Sequence, residues 1–286
     1  MSQKKSDLIY DIGLHQAEDT EFYLEKGFEV IAFEADPVLA EQCRRKFSAQ
    51  IADQRLVVVE GAIVDPATCG TASTVKFYRN ETDTVWGTIF HEWAERNSDT
   101  FGSKSTVIEV PAVNLGECLR RYGVPHYMKI DIEGADTLCL RALLDSPVLP
   151  DYVSIEGEKL DFRKLGEEFE LLERLGYSRF KAVQQANIPT QFPPRPSLEG
   201  QYVDRPFPEG SSGLFGRELP GRWKTRREVL RQYRWIFLLY RLFGDYGVLR
   251  NSWIGIRFRW GLAKLLRQPV PGWFDTHARH SSLNGG

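Results

Sequence analysis

Cysteine is scarce in this chain of 286 residues, and the four present (Cys43, Cys69, Cys118, Cys139) form no CxxC pair. They are too few for a disulfide framework and read as reduced, mostly buried thiols of a cytoplasmic protein. Long apolar runs are also missing. The longest wholly apolar stretch of the C-terminal part, Trp235 to Tyr240, falls far short of the ~18 residues a membrane span needs. The opening Met1-Ser-Gln-Lys-Lys-Ser leads straight into an expected strand, leaving no room for a signal peptide. No internal repeat is visible, and no spacing of His, Cys, Asp or Glu demands a metal. Glycine is absent where a pyrophosphate needs it: after Gly13 the chain reads Leu14-His15-Gln16-Ala17-Glu18-Asp19-Thr20. That turn disfavours NAD and FAD, whose phosphates approach a glycine-lined backbone.

Charge is present but unevenly placed. From Arg217 onward the chain holds 14 Lys/Arg against 4 Asp/Glu, leaving 23 against 35 in the first 216 residues. The two readings are a basic tail folded onto an acidic body, or a patch for an anionic partner or membrane surface. The tail also carries five of the seven tryptophans, which favours packing.

The first part alternates short apolar runs with helical patterns, predicting an α/β fold with a mostly parallel sheet and helices on both faces. Strands are expected at Leu8 to Ile12, Val30 to Phe33, Leu56 to Val59, Tyr127 to Asp131, Tyr152 to Glu156 and Phe180 to Val183. Helices are expected over Asp19 to Lys26, from Pro37, over Ala135 to Leu144 and over Phe162 to Leu175. An insertion holds a hairpin strand at Val75 to Tyr78 and an extended run at Val107 to Val113. Six prolines between Pro189 and Pro208 predict a loop or lid. The pattern from Arg222 to Phe243 then predicts a helix with an apolar stripe at Tyr233, Ile236, Phe237, Tyr240 and Phe243. It is either packed on the core or an interfacial, partner-binding helix. The expected organisation is a sheet domain over 1–187, a loop or lid over 188–221 and a helical aromatic, basic extension over 222–286.

Asp11-Ile12-Gly13 ends the first strand, and Phe33-Glu34-Ala35-Asp36 ends the second. An acidic residue about 20 positions beyond the glycine is placed to accept hydrogen bonds from ribose hydroxyls. The fourth strand ends Lys129-Ile-Asp131-Ile-Glu133-Gly134-Ala-Asp136. Asp131 and Glu133 alternate along extended backbone and so share a side. Asp11, Glu34, Asp131 and Glu156 thus gather at strand ends, and such a group needs a cation, a metal or backbone amides to offset it. A sulfonium ligand bearing adenosine but no phosphate meets that demand.

These motifs, with Gly61-Ala62-Ile63, resemble the FkbM-type S-adenosylmethionine-dependent methyltransferases of the class I Rossmann-like fold. The resemblance covers roughly Leu8 to Val183. It implies S-adenosyl-L-methionine as cofactor, with Asp11, Gly13 and His15 at its methionine end and Glu34 on the ribose. Ala62 approaches the adenine and Asp131 stands near the methyl group. Asp19 and Thr20 are further polar contacts, because this chain has Ala17 or Glu18 where the family's loop usually has a second glycine. Ala35, Asp36 and Gly61 complete the expected cofactor set.

A hydroxyl acceptor gains from a base that removes its proton. Among five histidines, His277 comes first, beside Asp275 and Trp273, followed by the carboxylates Asp131 and Glu133. His15, His126, His91 and His280 have weaker claims. The expected reaction is methyl transfer to a hydroxyl oxygen of a small molecule, a secondary metabolite or sugar, as in natural product biosynthesis. Alternatives are N-methylation of a side-chain amide in a modified peptide, and a non-catalytic adenosyl-ligand-binding protein. Nucleic acid is not an expected partner, since no NPPY-type motif is present.

Overall fold

The computed structural model describes residues 3–158, 161–244, 247–249, 252–266 and 268–285. They form two compact units, and the boundary falls inside a strand, after Val153. The first holds residues 1–153 together with 194–203, and the second holds 154–193 and 204–286.

In the first unit the chain runs β1 (Lys4–Ile12), α1 (Glu18–Glu25), β2 (Glu29–Glu34), α2 (Pro37–Lys46), α3 (Ser48–Ala52) and β3 (Leu56–Glu60). The insertion follows as β4 (Ala62–Ile63), α4 (Pro66–Cys69), β5 (Thr74–Asn80), α5 (His91–Phe101) and β6 (Ser105–Val113). Then come α6 (Leu115–Tyr122), β7 (Val124–Ile130), α7 (Asp136–Ala142) and β8 (Tyr152–Glu156). The main strands lie in the order β3-β2-β1-β7-β8, with β1 parallel to β2 and β7 and β2 parallel to β3. Their apolar content explains this. Leu8, Ile9, Ile12, Val30, Ala32, Met128 and Ile130 are buried in near-continuous runs, as strands covered on both faces require. The order reverses between β1 and β7, and ligands of open α/β sheets bind at such a reversal, beyond the strands' carboxyl ends. The insertion forms its own sheet, β4-β6-β5, in which β5 and β6 pair antiparallel across the connection that holds α5.

Residues 194–203 return to this unit at the opposite, amino-terminal end of the strands. Gln201 donates its N–H to the Lys26 carbonyl at 2.7 Å, and the Lys26 ammonium reaches Ser197 Oγ and the Gln201 carbonyl, both at 3.2 Å. His126 in β7 sits between Asp151 (2.8 Å) and Glu199 (3.0 Å), stacked on Phe28. Burial works against a charged imidazole there, but the two carboxylates prevail and raise its pKa to about 9. Of the expected loop or lid, this part is therefore a loop, strapped across the foot of the sheet.

The second unit contains the rest of β8, then α8 (Phe162–Arg174), β9 (Tyr177–Gln184), α9 (Arg226–Phe243), α10 (Trp253–Leu266) and β10 (Phe274–His280). Its strands lie in the order β8-β10-β9, with β9 and β10 antiparallel. A capping box of Thr225 and Glu228 starts α9. Val229, Tyr233, Ile236, Tyr240 and Phe243 then line one face at helical spacing. That face packs on β9 and α8, with Tyr233 against Phe169 and bonded to Thr276 at 2.6 Å. The helix stripe is thus a packed one. Phe237 is only partly buried and meets Phe162 edge-on. The extension is more than helical, because β10 adds a strand that the sequence pattern did not announce.

Candidate active site

Three strand ends of the first unit frame the candidate site: β1, β2 and β7. Gly13 leaves β1 at φ 89°, a left-handed conformation that glycine tolerates, and a Cβ there would strike the Asp131 carbonyl oxygen. This contact lets the first loop lie directly against the end of β7. The loop's amides are committed inward. Gly13 and Leu14 donate to the Phe33 carbonyl (3.2 and 3.0 Å), His15 to Glu34 Oε2 (2.9 Å), and Ala17 to the Leu14 carbonyl (2.9 Å). A phosphate-binding loop would leave such amides pointing at the ligand. Here four of them are already engaged.

Ala17 adopts φ 66°, ψ 32° and is buried. Left-handed backbone costs an L-residue roughly 1–2 kcal/mol. The loop has kept a glycine's conformation without the glycine. His15 shares this region at φ 49°; its Nε2 lies 2.8 Å from Thr84 Oγ1 and its Nδ1 3.4 Å from Glu18. The hydrogen bond with Glu18 raises the His15 pKa.

Glu34 ends β2, 8% exposed. Oε1 accepts the Asp36 N–H at 2.8 Å, while Oε2 takes that of His15. Burial nevertheless dominates and lifts its pKa to about 7. Each carboxylate oxygen retains a second lone pair for a further donor. Asp36 has a different role, for its carboxylate caps α2 by accepting from Val38 N–H at 2.8 Å and lies 3.6 Å from Arg79. Ala35 packs on Ala62, Phe77 and Val110, and Gly61 donates its N–H to the Glu34 carbonyl at 2.8 Å.

The charge that offsets the acidic strand ends comes in part from the chain itself. Lys129 lies opposite Asp11 in the β1·β7 register, and its ammonium stands 3.2 Å from Asp11, 3.5 Å from Asp19 and 3.8 Å from Asp131. It also donates to the Gly13 carbonyl at 2.8 Å. Burial opposes its charge, but the three carboxylates hold its pKa well above the ordinary lysine range. Thr20 donates to Asp11 at 2.6 Å. Asp11, Asp19 and Thr20 are all buried, at 3% exposure or less. They brace the loop from beneath. The signal for this was Lys129 itself, a charge two residues before Asp131 on the same side of a buried strand.

Asp131 keeps 40% of its side chain exposed. Glu133 holds φ 37°, an uncommon value for its type, and its carbonyl accepts from Thr88 Oγ1 at 2.9 Å. Gly134 follows at φ 86° under the Trp93 ring, which a Cβ would meet at 2.5 Å. Arg96 lies over the Trp93 ring, 4.0 Å from its centroid.

His277 lies in β10 of the second unit, 2% exposed, with no hydrogen-bond partner for Nε2. Burial, helped by Lys181 opposite it in β9, pushes its pKa down to about 3. A neutral, enclosed imidazole of that kind is a poor acceptor of a hydroxyl proton. Glu156 closes β8 in the same unit. His91 pairs with Glu95 at 3.4 Å, both side chains exposed on α5, and His280 lies 2.8 Å from Ser282. Among the described residues no group of three or more His, Cys, Asp or Glu is arranged to hold a metal.

A family model described as the methyltransferase FkbM domain matches residues 11–179. The chain belongs to the FkbM methyltransferase family. The match of this FkbM chain begins at Asp11 and takes in Glu34, Lys129 and Asp131, while α9, α10 and β10 lie beyond it. Among solved structures, the precorrin-6y C5,15-methyltransferase from Geobacter metallireducens GS-15 is 13% identical, with a TM-score of 0.33. That alignment covers 63% of this chain and 68% of that one. No curated protein matches the sequence.

Proposed function

We propose that this FkbM-family methyltransferase uses S-adenosylmethionine to methylate a hydroxyl oxygen of a small molecule, of the secondary-metabolite or sugar class. The observation that carries the donor assignment is the buried Glu34 carboxylate beside a loop whose amides are already engaged. Such a rim offers acceptors for ribose hydroxyls and little for a pyrophosphate. The residues present therefore fit an adenosine-bearing donor that has no phosphate. Glu34 takes the ribose, the Gly13 to His15 turn the methionine end, and Ala35 with Ala62 the adenine side. When bound, that donor supplies an electrophilic methyl group on sulfur.

What the chain adds is orientation and a proton acceptor. Holding two reactants in line contributes roughly 7–11 kcal/mol to such reactions, and the loop locked against Asp131 is the means of orientation. Asp131, exposed at the rim, is the first candidate to take the hydroxyl proton, with Glu133 next to it on a strained backbone. The buried His277 is not given this role.

Two measurements test the proposal. Calorimetry should show S-adenosylhomocysteine binding at one site, lost in Glu34→Ala. A screen of sugars, phenols, alcohols and peptides with methyl-labelled donor should then label a hydroxyl. No binding in the intact protein would remove the enzyme reading. Label found only on a peptide amide would replace oxygen by nitrogen, and binding without turnover on any acceptor would favour a binding protein.

A further inference from the structure

Helix α10 of the second unit exposes several large apolar side chains. Trp253, Ile256, Phe258, Trp260 and Leu265 are 70%, 47%, 61%, 69% and 78% exposed. In a soluble helix of 14 residues this is an unusual apolar load to leave in water. Trp253, Ile256 and Trp260 recur at intervals of three and four and so form one stripe. Arg257 and Lys264 flank it, lying over the Trp253 and Trp260 rings at 5.1 and 5.4 Å. One aromatic contact fixes α10 to α9: Phe258 stacks on Phe243 at 6.0 Å. On α9 itself, Trp235 (69%) and Leu238 (44%) are also exposed, away from the buried stripe.

Charge selects what covers this face. From Gly247 to Val270 the sequence has five basic residues (Arg250, Arg257, Arg259, Lys264, Arg267) and no acidic one. A second copy of the same helix would bring like charges together. A nucleic acid would satisfy the cations but leave Ile256 in water. An anionic bilayer surface satisfies both, since tryptophan rings settle at headgroup depth and Lys and Arg reach the phosphates. The helix is too short to cross, and among the described residues no helix is long and apolar enough to do so.

We propose that α10 is an in-plane membrane anchor that docks this methyltransferase on anionic phospholipid surfaces through Trp253, Ile256 and Trp260, with Arg257 and Lys264 on the headgroups. The anchor lies outside the span matched to the family and is independent of the choice of methyl acceptor.

The test is co-sedimentation of the full chain with vesicles of phosphatidylcholine alone and of phosphatidylcholine mixed with phosphatidylglycerol. Binding should require the anionic lipid, weaken with salt and shift tryptophan emission to the blue. Each basic residue near such a surface is worth about 1 kcal/mol, or about fivefold. Arg257→Glu with Lys264→Glu should therefore reduce binding by more than roughly tenfold, and Trp253→Glu with Trp260→Glu should abolish it. Both variants replace exposed residues, so an unchanged melting temperature confirms that they fold. The proposal is overturned by equal binding to neutral vesicles, or by no binding to either. It also falls if the protein forms a dimer that the Trp260→Glu variant dissolves, or binds single-stranded RNA while ignoring vesicles.

Discussion

Lys129 faces Asp11 across the β1·β7 pair, with its ammonium nitrogen 3.2 Å from the carboxylate and both groups sealed from solvent. A buried pair of this kind adds little to stability over an apolar pair, yet losing one partner leaves a charge stranded. The same ammonium answers Asp19 and Asp131. Lys129→Met should therefore destabilise the protein by about 3–5 kcal/mol at neutral pH. Urea titrations at acid pH should show a smaller loss, because the carboxylates are then protonated. An undiminished midpoint at neutral pH would mean that the three acids do not depend on Lys129.

Glu34 links stability to ligand binding in opposite directions. Its folded pKa of about 7 lies above the ordinary 4.5, so between those values the folded chain holds a proton that the unfolded chain has released. Stability should decline as pH rises through that window, by roughly 3 kcal/mol in all. Glu34→Gln should flatten the decline. Affinity for S-adenosylhomocysteine should move the other way, rising toward about pH 8 as the carboxylate ionises to accept ribose hydroxyls. Calorimetry across this range in both proteins checks the pair of trends, and a pH-independent affinity would contradict the ribose role.

Ala17 offers a test of the loop's strain. Exchange of Ala for Gly within ordinary structure costs about 0.5–1 kcal/mol. At φ 66° the exchange relieves a left-handed penalty, so Ala17→Gly should be neutral or stabilising by up to about 1 kcal/mol. A loss of more than that in thermal unfolding would show that the buried methyl group outweighs the backbone.

His126 should make the strap pH-sensitive. Its folded pKa of about 9 exceeds the ordinary 6.5, so its contribution is complete below about pH 6.5 and disappears as pH rises through about 9. The amount is roughly 3 kcal/mol. His126→Leu should lose this alkaline dependence. Proteolysis within residues 194–203 at about pH 10 reports the release directly in the parent protein.

Much of this arrangement was legible because buried parallel strands are written as continuous apolar runs, and Gly13, Glu34 and Asp131 punctuate them. Lys129 was harder to interpret. Its charge looks like surface until the register sets it against Asp11. Strand β10 was hidden for a related reason: Asp275, Thr276 and His277 are buried polar residues, so Phe274–His280 shows no apolar alternation. The strap escaped notice because its hold on the first unit runs through Lys26, His126 and Glu199, contacts between residues far apart in sequence. His277 drew attention as a lone titratable group near Asp275 and Trp273. Sequence proximity gave no sign that its strand would enclose it.

The pairing of Gln184 with Phe274 joins positions 90 apart, and β10 lies between β8 and β9. During synthesis β9 emerges long before its neighbour and must remain a bare edge until Phe274–His280 arrives. Closing so long a loop is slow, and an open edge in that interval invites pairing with other nascent chains. The yield of soluble protein should thus depend on chaperone supply far more than the stability of the finished fold would suggest.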